Sequence, residues 1–110
     1  MRYMAAAGIA LALAGCASVG DLRSKAPVFV GESTRAPEQY AGCVVEAWRS
    51  LDISPSYSPI PTGAEVIVMG IQPDIVLRAE KGQQSATRIV MTSRLPYGYS
   101  KMVKMARQCQ

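Results

Sequence analysis

Three sulfurs and one cluster of cationic and aromatic side chains are the groups in this 110-residue chain whose types invite chemistry. Cys16, Cys43 and Cys109 each carry a thiol that can act as nucleophile, metal ligand or half of a disulfide. Catalysis by a thiol or hydroxyl usually draws on a general base, most often histidine, and the sequence has no histidine. Ser100 and Lys101 are adjacent in a helical stretch and so face apart, and Ser-x-x-Lys does not occur. The eight acids are scattered and fall on faces that read as solvent-exposed, which gives no paired carboxylates for glycan hydrolysis. "MGIQPDI" and "PYGYS" read as turns rather than phosphate-binding loops, and two cysteines without a companion cluster do not make a closed zinc site. The expectation is a protein with no catalytic residues, no metal and no cofactor.

The stretch "RLPYGYSKM" holds Arg94, Tyr97, Tyr99 and Lys101 beside a Pro and a Gly, and Lys104 and Arg107 follow. Aromatic and cationic groups so mixed have the composition of a recognition patch. From Arg78 onward seven cations stand against Glu80 alone, a surface that would attract lipid phosphates, cell-wall carboxylates or an acidic partner. Two plainer readings stay open here: a solvated face that keeps a small domain soluble, and tyrosines that cap the core. The aromatic interleaving of a single-strand nucleic-acid reader is missing, so no nucleic-acid partner is expected.

The N-terminus decides where these groups act. Residues 1–12, MRYMAAAGIALA, put Arg2 and the amine ahead of an apolar run, too short for a mature membrane span, which needs about 20 residues. A charged start, an apolar middle and small residues before a cut are the layout of a secretory signal peptide. Leu13-Ala14-Gly15-Cys16 then resembles the lipobox of bacterial lipoproteins. That resemblance, confined to the first sixteen residues, implies cleavage between Gly15 and Cys16 and a diacylglycerol on the Cys16 sulfur, with a further acyl chain (palmitate) on the new N-terminus. Several acyl chains hold a protein far more firmly than one. Ala17 stands where an Asp would favour inner-membrane retention, so the resemblance implies an outer-membrane anchor facing the periplasm.

With Cys16 lipidated, Cys43 and Cys109 remain, and the oxidising compartment that the resemblance implies makes a disulfide their simplest state. Their surroundings agree. In "APEQYAGCVVEAWRSL", Tyr40, Cys43, Val44, Ala47, Trp48 and Leu51 recur at helical spacing, with Pro37 suited to the first helical position and Trp48 to a core anchor. In the tail, Tyr99, Met102, Val103, Ala106 and Cys109 form a second stripe, with Lys101, Lys104 and Arg107 on the other side. Both lone cysteines thus point toward a core.

Between the helices, 64–69, 74–81 and 86–94 read as three strands joined by short turns, the economical arrangement being two antiparallel hairpins. "ISPSYSPIPTG" carries three prolines in eleven residues and reads as a loop or irregular edge strand. Val28-Phe29-Val30 reads as a short edge strand or plug at the end of a tether. The expected layout is therefore a cleaved leader at 1–15, a lipidated tether at 16–26, and one small α+β domain at 27–110. Its order is α-β-β-β-α, a three-stranded antiparallel sheet covered by two helices. Such a layout is similar to that of small periplasmic lipoproteins with one disulfide. It fits a binding or assembly accessory for another envelope component, a binder of peptidoglycan or lipopolysaccharide through the basic C-terminal third, or an inhibitor of lysozyme or another hydrolase.

Overall fold

The computed structural model describes Leu22 and residues 25–110. The order is β1 (Phe29–Ser33), α1 (Pro37–Arg49), β2 (Pro55–Ile60), β3 (Gly63–Met69), β4 (Pro73–Lys81), a short 3-10 turn (Gln83–Ser85), β5 (Thr87–Ser93) and α2 (Ser100–Gln108). All five strands join one sheet in the order β1-β5-β4-β3-β2, every neighbouring pair antiparallel. The three-stranded sheet expected from the sequence is thereby corrected to five strands.

Both additional strands lie at the sheet's edges, where local patterning left an edge strand open beside a plug or a loop and did not count either into the sheet. Pro55 and Pro59 lack backbone N–H groups and are tolerated in β2 because that strand pairs on one side only, with β3. In β1 the apolar signal ends at Val30, and Gly31, Glu32 and Ser33 are poor strand formers. What extends β1 is pairing with β5, Phe29 to Met91 through Ser33 to Thr87. That partner is about sixty residues away in sequence and invisible to any local window.

Alternation along the strands sends Phe29, Ala64, Val66, Ile75, Leu77, Ala79, Ile89 and Met91 to the face that packs against Tyr40, Val44, Trp48, Met102 and Ala106. A sheet with an apolar face has to be covered, and the two helices cover this one. At the β2–β3 turn the backbone itself is packed: a Cβ on Gly63 would collide with the Ala79 carbonyl oxygen and the Pro37 ring, so only glycine fits. Pro37 opens α1, where its missing N–H leaves no helical hydrogen bond unmade.

Cys43 of α1 and Cys109 at the end of α2 form a disulfide, with their Cα atoms 5.8 Å apart. Two hydrogen bonds tie the same helices. The Tyr40 hydroxyl donates to the Ala106 carbonyl at 2.8 Å, and Trp48 Nε1 donates to the Met102 carbonyl at 3.1 Å. Neither ring is solvent-exposed, and burial pushes the Tyr40 phenol pKa up, so this donor keeps its proton well into alkaline solution. The last residue is fastened too: Gln110 Nε2 donates to the Glu32 carbonyl, and its own carbonyl accepts from Ser33 Oγ.

The opposite sheet face carries charge among small apolar groups. Glu65, expected on an exposed face, is instead buried, and Arg78 Nε stands 3.2 Å from its carboxylate and 3.8 Å from that of Glu80. The correction has a simple cause: β3 is flanked by strands on both sides, and central position buries a side chain that edge position would expose. No helix of the described residues is long and apolar enough to cross a membrane.

Candidate functional site

α2 begins after "RLPYGY", where Gly98 adopts φ +89°, a left-handed turn that glycine makes at little cost. Once helical, Met102, Ala106 and Cys109 recur at four- and three-residue spacing and are buried. The same periodicity forces Lys101, Lys104 and Arg107 to the outer side, where all three are exposed. Arg107 also sits in the last turn, where a cation complements the helix dipole.

Between this outer side and the start of β1 runs an open groove of about 490 Å³, lined by Val28, Tyr99, Ser100, Val103, Lys104, Arg107 and Gln108. Val28, Tyr99 and Val103 are partly buried against the core and give it an apolar floor. Lys104 and Arg107 give it a cationic rim, and no acid lines it. Neither cation forms a salt bridge among the described residues. The Arg107 guanidinium lies over the Phe29 ring, 5.6 Å from its centroid, which holds the charge at the groove rather than free in solvent. Such an arrangement suits a ligand with an anionic group and an apolar or sugar-ring face beside it.

The six residues of the patch read from sequence separate into three groups. Tyr99, Lys104 and Arg107 come together in the groove. Lys101 is exposed on the same helix, one turn before Lys104, without lining it. Arg94 is engaged elsewhere: its Nη2 donates to the Pro73 carbonyl at 2.7 Å and to Asp74 Oδ1 at 2.8 Å, an ion pair that pins the β5–α2 loop to the start of β4. Tyr97 projects from that loop, 81% exposed, and caps nothing, whereas Tyr99 packs on the core.

Val28 is the lining residue that the sequence offers only as part of an edge strand or plug. Its N–H donates to the Met91 carbonyl at 2.8 Å, and this pairing brings the strand start alongside α2. No local pattern signals that contact. Ser100, Val103 and Gln108 were legible as helix positions but not as groove walls, since the groove exists only where β1 passes α2.

A second concavity of about 390 Å³ lies over the opposite sheet face, lined by Arg78, Glu80, Lys81, Arg88, Val90 and Thr92. Its charge is partly balanced within, by Glu80 near Arg78, and Thr62 Oγ1 donates to the same carboxylate. The α2 groove is therefore the less compensated site. Among the described residues no group of three or more His, Cys, Asp or Glu side chains is placed to hold a metal ion. Leu13, Ala14, Gly15 and Cys16, the residues that resemble a lipobox, lie outside the described residues. No protein-family model matches the chain, and no curated protein or solved structure matches it either.

Proposed function

We propose that this protein is a non-catalytic binding accessory of the bacterial envelope, lipid-anchored through Cys16 to the outer membrane, whose α2 groove takes an anionic saccharide component of that envelope. The observation that carries the reading is the uncompensated pair Lys104 and Arg107 at the rim of an apolar floor in the groove. A cationic rim attracts carboxylate or phosphate, and an apolar floor with a tyrosine offers a surface for the ring face of a sugar. Peptidoglycan carboxylates and the phosphates of lipopolysaccharide share that chemistry.

The anchor reading is supported by the Leu13-Ala14-Gly15-Cys16 box and by the pairing of the two remaining cysteines. Native protein purified from membranes should show a diacylglyceryl adduct at Cys16 by intact mass. It should sediment with purified sacculi or with lipopolysaccharide aggregates, the two arms distinguishing the sources, and Lys104→Glu with Arg107→Glu should abolish that sedimentation. Undiminished binding by the doubly reversed protein would remove the groove from consideration.

A further inference from the structure

The two ends of the sheet differ in what their loops expose. Antiparallel pairing puts the start of β1, the end of β3, the start of β4 and the end of β5 together, as Phe29–Met91, Met69–Pro73 and Ile75–Ser93 are neighbours. Arg94, just past β5, is held to the first residues of β4, Pro73 and Asp74, which follow the other loop of this end. Here stand Met69, Ile71, Leu95 and Tyr97, four of the six exposed large hydrophobic residues among the described residues, with Ile71 fully in solvent. The other end turns through Pro61-Thr62 and "GQQSA" at 82–86, and none of its loops exposes a large apolar side chain.

Exposed large apolar side chains gathered at one end mark an interaction surface in a way that singly scattered ones do not, and tyrosine favours the layer between water and hydrocarbon. The apolar end is also the end from which the chain leads back toward Cys16. Twelve peptide steps lead from Cys16 to Val28, a reach of at most about 43 Å when extended. Within them Leu22 is buried, and its carbonyl accepts from the Lys25 N–H, which shortens the free length. Lys101, exposed in the first turn of α2, follows the β5–α2 loop of this end and is placed for lipid phosphates; Lys25, three residues before Val28, is exposed on the chain that leads to it, and Asp52 stands on the α1–β2 link beside β2. For the polar end to face the bilayer the chain would have to run back along the whole sheet, about 30 Å for a nine-residue strand such as β4, which would use up most of that reach.

We infer that the end bearing Met69, Ile71, Leu95 and Tyr97 lies in the headgroup layer of the bilayer that holds Cys16, so that the domain stands on the membrane rather than swinging from it. This rests on the lipid-anchor reading above. The four side chains enter the interface, the sheet stands up from it, and the α2 groove opens just above the headgroups, its Val28 and Tyr99 edge nearest the lipid.

The test uses the native lipidated chain in vesicles of phosphatidylethanolamine and phosphatidylglycerol with brominated acyl chains. A tryptophan is added by Ile71→Trp or, at the opposite end, by Gln83→Trp, and the buried Trp48 of the unaltered chain supplies the background. The fluorescence gained in Ile71→Trp should shift to the blue and fall at least twofold on bromination, while that gained in Gln83→Trp stays unquenched. Equal quenching of the two, or none in Ile71→Trp, would overturn the inference, as would a blue shift without quenching, which assigns the end to contact with another protein copy. Intact mass of the same sample separates the two failures: an unmodified Cys16 sinks the anchor and the orientation together, whereas a modified Cys16 with an unquenched probe sinks the orientation alone.

Discussion

The two sides of α2 serve opposite ends. Its inner side, Met102, Ala106 and Cys109, is held by a disulfide, by two hydrogen bonds from buried aromatic rings and by the core. Its outer side carries Lys101, Lys104 and Arg107, exposed and without salt bridges among the described residues. The difference teaches that a nine-residue helix, too short to be stable alone, can present charge at fixed positions when its other side is fastened covalently. Substitutions inside should therefore cost stability, and substitutions outside should cost binding.

The largest effect should come from Cys43→Ala with Cys109→Ala. The closed loop spans 66 residues, and opening it should lower unfolding free energy by about 4 kcal/mol in urea titrations. A loss below about 1 kcal/mol would mean that the rings and the core alone hold α2. Next, Trp48→Phe removes a buried hydrogen bond and leaves a void under α2, and should cost about 2 kcal/mol by the same measurement.

Tyr40→Phe should cost about 1 kcal/mol at neutral pH, and it carries a sign that can be checked. Burial raises the folded pKa above the ordinary 10.0, so the folded chain keeps a proton that the unfolded chain gives up. The tyrosine's contribution is full below pH 10.0 and is lost as pH rises from there toward the folded pKa. Wild type should therefore lose stability in alkaline solution faster than Tyr40→Phe does, as followed by thermal melts across pH 9 to 11. A parallel decline in the two proteins would mean that the phenol is not shielded.

The smallest effect on stability belongs to the outer side. Lys104→Glu with Arg107→Glu should shift unfolding free energy by no more than about 0.5 kcal/mol while removing sedimentation with the anionic envelope polymers. A large stability loss from that pair would show that Arg107 over Phe29 is structural, and would blur the contrast between the sides.

How much of this was legible in the sequence differs by region. The helical stripes around Cys43 and Cys109 were readable because an apolar side chain every three or four residues is a local signal, and they agreed with the disulfide that the lipobox resemblance implied for the two remaining cysteines. The strands β3, β4 and β5 were readable from alternation and turns. β1 and β2 were readable only as one of two alternatives each, an edge strand or a plug and an edge strand or a loop, since one is extended by pairing with a distant strand and the other is a proline-bearing edge. Within the candidate site, Tyr99, Lys104 and Arg107 were legible as types on one helix. Arg94 was not separable from them, because its capture by Asp74 depends on two loops meeting across β4 and β5.

By itself the sequence determined the chemistry on offer: no imidazole, three cysteines, an N-terminal stretch that resembles a lipobox and a cationic C-terminal third. It also determined which helix faces are apolar, because helical periodicity is written residue by residue. Only the tertiary structure decided that the sheet has five strands, that Glu65 is buried, that Val28 closes a groove beside α2, and that Met69, Ile71, Leu95 and Tyr97 share one end. The physical reason is the same in each case: pairing between distant strands sets which loops become neighbours, and that proximity is a property of the assembled sheet that no single segment carries.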